Sequence, residues 1–263
     1  MTPTSDFLHK AERVIRHTLE GLRPRLLETQ GNIEHRLKDD KTAVTEMDLL
    51  VEDRLRQSLA AFDKRIGFGG EESGVDLEQP TFWLVDPIDG TEPFIRGMPF
   101  ATNMIALIHH GEPILSVIYN FVLDDYYVAI KGEGATCNGH TIHVSSRGMG
   151  RAWVTIGTAS GESGVEGLYD RISTTVNAVR RYGASGFEYT QIASGALEAR
   201  ITFHGHGFAW DFAPGALLVQ EAGGRAANIG ATSYDFRNLN HIVANSTTFE
   251  ELMAFMNTVR ADQ

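Results

Sequence analysis

The stretch that most constrains this chain is Phe82-Trp83-Leu84-Val85, followed at once by Asp86-Pro87-Ile88-Asp89-Gly90-Thr91. The apolar run reads as a short buried strand, and the proline and glycine after it stop regular structure. A fold that buries this strand therefore delivers two carboxylates at its end. Pro87 fixes φ between Asp86 and Asp89, which can bring both side chains and the Ile88 carbonyl into one small volume. Two anions held that close repel, and a divalent cation relieves the repulsion. Gly90 and Thr91 add permissive backbone, N–H groups and a hydroxyl, the parts that seat a phosphate and orient a water. The same hexapeptide is also an ordinary polar turn with an Asx-type hydrogen bond, so other stretches must decide.

Composition narrows the partners. The chain has 263 residues, enough for one large domain or two lobes sharing a core, and a net charge of −11. That charge repels nucleic acid and anionic membrane, so neither is expected as a partner. The single cysteine, Cys137, excludes an internal disulfide and reads as a small packed side chain. The N-terminus shows no secretory signal and no apolar stretch has bilayer length, so the expected location is cytoplasmic.

Along the chain, apolar residues from Phe7 to Leu22 recur at helical spacing and predict an amphipathic helix from Asp6 to about Glu28. Lys38-Asp39-Asp40-Lys41 reads as a polar connection. Thr45-Glu46-Met47-Asp48 opens a second helix with Thr45 as N-cap. The runs after residue 101 predict an antiparallel meander, with His109 and His110 as exposed polar residues at a turn. Beyond about Ser145, strands alternate with helices, predicted over 165–179, over 189–199 and over a last helix, 217–222. This implies a second lobe of layered α/β type and a boundary near residue 147, with lobes 1–147 and 148–263.

Three further acidic places carry two readings each. Asp48 is either a first-turn acid that favours the helix dipole or part of a site, if its helix end faces the carboxylate turn. Glu71 and Glu72 lie between glycines in Gly69-Gly70-Glu71-Glu72-Ser73-Gly74: a solvated acidic loop, or a metal ligand and base at Glu71 with Glu72 behind it. Asp211, after Trp210, is either a helix N-cap or an acid that holds a metal beside a helix end aimed at phosphate.

Taken together, Val44-Thr45-x-x-Asp48, Gly70-Glu71-Glu72-Ser73, Asp86-Pro-Ile-Asp-Gly-Thr91 and Trp210-Asp211 leading to Gln220-Glu-Ala-Gly-Gly224 resemble, in order and spacing, the inositol monophosphatase family. This family lies within the lithium-sensitive, magnesium-dependent phosphatase superfamily. The resemblance implies a mixed α/β (α+β) fold, a layered αβαβα sandwich of the inositol monophosphatase/sugar phosphatase type. It also implies hydrolysis of a small phosphate monoester by metal-activated water, with two or three Mg2+ ions, and a homodimer. Carried over residue by residue, Glu71, Asp86 and the Ile88 carbonyl would hold one magnesium, and Asp86, Asp89 and Asp211 a second. Glu71 and Thr91 would orient and deprotonate water, with Asp48 supporting Thr91 or a further metal-bound water. Gly90 and Thr91 would bind phosphate, and Gly183, Ala184, Ser185, His204 and Asp211 would face the substrate.

The chain departs from the family's pattern where the alcohol is read. Glu92-Pro93-Phe94 stands where many inositol phosphatases carry Thr-Asn-Phe, and His204 stands where inositol-hydrolysing members place a glutamate. Phe94 to Pro99 is also similar to the matching stretch of histidinol-phosphate phosphatases. Inositol, histidinol, sugar and nucleotide phosphates thus all stay open as substrates. A metal- or phosphate-binding regulator without turnover is the reading from a different class. Such a protein usually lacks a ligand or the water-orienting hydroxyl, and here Glu71, Asp86, Asp89, Thr91 and Asp211 are all present.

Overall fold

The computed structural model describes residues 3–38, 42–158, 165–203 and 207–261. Helix α1 (Ser5–Thr29) begins where the Thr4 hydroxyl accepts the Phe7 N–H at 3.2 Å, and it buries Leu8, Ala11, Ile15, Leu19 and Leu26 along one stripe. A hairpin of β1 (His35–Leu37) and β2 (Ala43–Thr45) follows, where the sequence suggested only a polar connection. β1 is exposed along its whole length, so no alternation of apolar residues marks it. Helix α2 (Glu46–Phe62) starts at Thr45, whose hydroxyl accepts the Met47 N–H at 3.1 Å.

Next come β3 (Gly67–Gly70), β4 (Thr81–Asp89) and the short helix α3 (Thr91–Ile95). The meander is β5 (Thr102–His109), β6 (Glu112–Asn120), β7 (Asp125–Ile130), β8 (Gly134–Cys137) and β9 (His140–Thr141). Together β3 to β9 make a seven-stranded sheet in chain order, antiparallel except for the parallel β3–β4 pair. His110 is exposed as expected, whereas His109 is partly covered and its Nδ1 lies 2.8 Å from the Thr81 hydroxyl.

The second sheet has five strands in the order β11-β10-β12-β14-β13. Its elements are β10 (Trp153–Thr158), α4 (Val165–Ser173), β11 (Ala178–Arg180), α5 (Ser185–Ala193), β12 (Ala199–Phe203), α6 (Ala209–Glu221), β13 (Arg225–Asn228), β14 (His241–Ala244) and α7 (Ser246–Ala261). The first sheet ends at Thr141 and the second begins at Trp153, on either side of residue 147.

Five layers result. α1 and α2 cover one face of the large sheet, packing on Trp83, Val85, Ile105 and Val117. α5 and α6 lie between the two sheets, where Tyr189, Phe212 and Ala216 meet Met104 and Ile118 on one side and Val243 on the other. Ile172 of α4 and Phe249 and Leu252 of α7 pack with Val154, Ile156 and Ile242 of the second sheet. Phe82 and Leu84 join α6 residues on the face opposite to Trp83 and Val85, so β4 is buried on both sides. Each such side chain contributes roughly 1.5–3 kcal/mol. Among the described residues no helix is long and apolar enough to cross a membrane.

Several boundaries differ from the sequence reading. The helix expected over 165–179 stops at Ser173: the Thr174 and Thr175 hydroxyls bond back to the Arg171 carbonyl at 2.9 and 2.7 Å, and the chain turns into β11. α5 starts at Ser185, not Tyr189, and ends at Ala193 before Gly195, which has φ +76°. The last helix is α7, not the one that ends near Gly223. Strand β4 does not end at Asp86 but runs to Asp89 through a register shift.

Candidate active site

That shift decides where the two carboxylates point. Asp86 pairs with Met104 and Asp89 with Thr102, so three residue steps in β4 face two in β5. In a regular strand, residues three apart lie on opposite faces; one extra residue returns both to the same face. Pro87, which has no N–H to offer the ladder, sits inside the irregularity, and its carbonyl accepts the Asn103 side-chain N–H at 2.5 Å. Both aspartates then face the layer of α5 and α6.

The third acid comes from the other half of the chain. Asp211 lies in the first turn of α6 and accepts the Phe208 N–H at 2.6 Å; it is not the N-cap, which is Phe208. One oxygen each of Asp86, Asp89 and Asp211 lies within 4.8 Å of the others. Asp89 is clamped by Thr102 Oγ1 at 2.9 Å and by the first N–H groups of α5, Ser185 and Gly186, both at 2.8 Å. This cap across the sheet starts α5 four residues before the sequence pattern does.

The electrostatics are those of anions pressed together. Burial, followed by repulsion from Glu71, Asp211 and Asp89, pushes Asp86 well above the carboxylate range. Burial and then Asp211 raise Asp89 to about 7, against the opposing hydrogen bonds. Asp211 rises to about 6, mainly through burial, although its bond from Phe208 acts the other way. Among the described residues, Asp86 Oδ1 is buried without a hydrogen-bond partner. A hard divalent cation fits this set: oxygen donors only, clustered, with one left orphaned inside the protein.

These acids line a cavity of about 710 Å³, together with Glu71, Ile88, Gly90, Thr91, Gly183, Ala184 and Ser185. Thr91 Oγ1 lies 3.0 Å from the Ile88 carbonyl and 3.3 Å from Asp48 Oδ1, so the start of α2 does reach the carboxylate turn. Asp48 is buried, which raises it to about 6 against the lowering effect of its bonds from Thr45. Gly90 has φ +79°, and a Cβ there would lie 2.7 Å from the Ala184 Cβ, so only glycine lets the β4 end meet the loop before α5. Glu71 lies outside the three-acid cluster, with Oε1 2.6 Å from Lys38 Nζ. His204 lies outside the described residues, as do Asp39, Asp40 and Lys41 of the polar connection.

Four residues of the site escaped the sequence reading. Lys38 was part of a featureless polar segment, and Arg181 part of a glycine-rich connection. Arg200 and Glu188 form a buried ion pair, with side chains 7% and 4% exposed. The available signal was Arg200 directly before the apolar strand Ile201-Thr-Phe, since a charge entering a buried run needs a partner. Burial lowers Arg200 to about 10, against the pull of Asp89 and Asp211, and it stays a cation at neutral pH.

A layered αβαβα sandwich holding a buried carboxylate cluster beside a threonine at a strand end is the arrangement that a metal-dependent phosphatase requires. The profile of the inositol monophosphatase family matches residues 5–260, and the chain belongs to that family. It is accordingly a phosphoric monoester hydrolase. Inositol monophosphatase from Mesembryanthemum crystallinum is 32% identical over 233 residues, 84% of this chain and 85% of the relative. The solved structure of the Thermotoga maritima IMPase superposes with a TM-score of 0.85 at 23% identity, over 98% of this chain and 99% of that one. An IMPase/NADP phosphatase solved with Mg2+ and phosphate gives 0.83 at 22% identity, over 95% of this chain and 96% of that one.

Proposed function

We propose that this chain hydrolyses a small phosphate monoester of the inositol phosphate kind, with two or three Mg2+ ions bound by Glu71, Asp86, Asp89, Asp211 and the Ile88 carbonyl. The observation that carries this is the convergence of Asp86, Asp89 and Asp211 within 4.8 Å, with Asp86 Oδ1 buried and unpartnered among the described residues. Bound there, such ions supply neutralisation of charge on phosphoryl oxygens and a lowered pKa for water. The Thr91 hydroxyl donates to Ile88 or Asp48 and keeps a lone pair for a hydrogen of the attacking water. Glu71 accepts the proton that this water gives up. The N–H groups of Gly90 and Thr91, at the left-handed turn into α3, hold phosphate oxygens. Gly183, Ala184 and Ser185, on the same cavity wall, carry the alcohol. Water adds to phosphorus as the ester P–O bond breaks, giving the free alcohol and inorganic phosphate.

The same reading takes the protein to be a cytoplasmic homodimer. Family membership supports the dimer, and the unpaired Cys137 supports a reducing compartment. The test is phosphate release from myo-inositol 1-phosphate with Mg2+ and after chelation. Turnover that chelation abolishes and Mg2+ restores is expected; equal rates in both would overturn the metal-dependent reading.

A further inference from the structure

The cavity is also lined by two arginines that the reaction as described leaves unused, Arg181 and Arg200. Arg200, on β12, is 6% exposed; its Nη1 donates to Glu188 Oε2, and among the described residues its Nε has no hydrogen-bond partner. Gly157 makes the room, since a Cβ there would lie 2.8 Å from Arg200 Nη2. Glu188 also accepts the Tyr182 N–H at 3.2 Å, which ties the pair to the loop that carries Arg181. Arg200 and Glu188 balance each other. Of the other acids on the wall, Glu92 is balanced by Arg96 and Glu71 is held by Lys38, each at 2.6 Å. Arg181 is exposed, and among the described residues no carboxylate pairs with it. Among the described residues outside the carboxylate cluster, Arg181 is therefore the cation on the wall that no carboxylate pairs with.

We infer that Arg181, backed by Arg200, binds a second anionic group on the substrate, so that this chain prefers phosphate monoesters whose alcohol carries a carboxylate or a further phosphate. The inference rests on the phosphatase reading above and names its substrate class. A planar guanidinium meets a carboxylate or phosphate with two parallel hydrogen bonds, whereas an uncharged alcohol offers no equivalent partner. The scissile phosphoryl group goes to the cation-binding acids. A second anion is repelled by those acids and has Arg181 as its counter-charge.

The test compares glycerol 2-phosphate with 2-phosphoglycerate, which differ only by a hydroxymethyl group against a carboxylate, using kcat/KM in the presence of Mg2+. The wild type is expected to favour 2-phosphoglycerate by roughly tenfold. Arg181→Gln should bring the ratio near one, chiefly through KM, and Arg181→Lys should fall between. Because Arg181 is exposed, about 0.5 M NaCl should shrink the wild-type ratio but not that of Arg181→Gln. A wild-type ratio of one or less, or a ratio that Arg181→Gln leaves unmoved, overturns the inference while the phosphatase reading stands. Hydrolysis of neither ester, nor of myo-inositol 1-phosphate, overturns both.

Discussion

Lys38 Nζ lies 2.6 Å from Glu71 Oε1 and 2.6 Å from Glu72 Oε1, so one ammonium bridges the adjacent acids beside the carboxylate cluster. Burial pulls Lys38 down, but the bonds to Glu71 and Glu72 outweigh it and raise its pKa above the ordinary lysine value. The chain thus supplies its own cation to Glu71, and a metal that uses Glu71 competes with it. Lys38→Met should lower the metal-free melting temperature by a few degrees and tighten Mg2+ binding roughly three- to tenfold, as read by isothermal titration. Unchanged or weaker binding would show that Lys38 does not compete for Glu71.

Asp86→Asn should separate stability from turnover. It removes one of three crowded buried anions, so metal-free protein should melt about 2–5 °C higher. The same change should cut kcat at least a hundredfold, because a neutral amide is a poor substitute for a carboxylate toward a divalent cation. Calorimetry without metal and kinetics with it test the two halves. A lower melting temperature, or activity within tenfold of wild type, contradicts the account of Asp86.

The raised carboxyl groups set the sign of a pH effect. Asp48 and Asp211 sit near 6 and Asp89 near 7 in the folded, metal-free chain, above the unfolded value of about 4. The folded state therefore binds more protons between pH 4 and 7, and metal-free stability falls as pH rises through that window. Bound Mg2+ removes the part of the penalty that comes from Asp89 and Asp211, the proposed ligands among these groups. The melting-temperature gap between Mg2+-saturated and chelated protein should widen by roughly 5–10 °C from pH 5 to pH 8. His241, buried and lowered to about 3, acts in the opposite direction in acid but is common to both samples and cancels in the gap. A gap independent of pH would mean that these acids are not strained without metal.

Gly90→Ala should damage the site more than the fold. The left-handed φ costs on the order of 1 kcal/mol for alanine, and the new Cβ pushes on Ala184 in the loop before α5. A tenfold or greater loss in kcat/KM is expected. Adding Ala184→Gly should recover part of it, because that removes the contact but not the backbone strain. Full recovery, or no loss at all, would contradict the packing described.

The sequence by itself determined the chemical inventory and its local setting. Phe82 to Val85 encode a buried strand because four apolar residues in a row need cover on both sides, and Asp86, Asp89 and Thr91 follow it as immediate neighbours. Thr45 and Asp48 mark a helix start through bonds made within four residues. Four such local motifs, in order, were enough to identify the family and its layered fold. The tertiary structure decided what depends on partners far along the chain. Whether Asp86 and Asp89 share a face rests on the β4–β5 register, and where α5 begins rests on Asp89 capping Ser185 from another strand. Asp211 joins them only because α6 packs between the two sheets. Lys38 against Glu71, and Arg200 against Glu188, are pairings in which mutual attraction, strengthened where water is excluded, offsets the cost of burying both charges. Local propensity and periodicity carry no trace of such a pairing, because burial of each charge is a property of the packed layers and not of its neighbours in sequence.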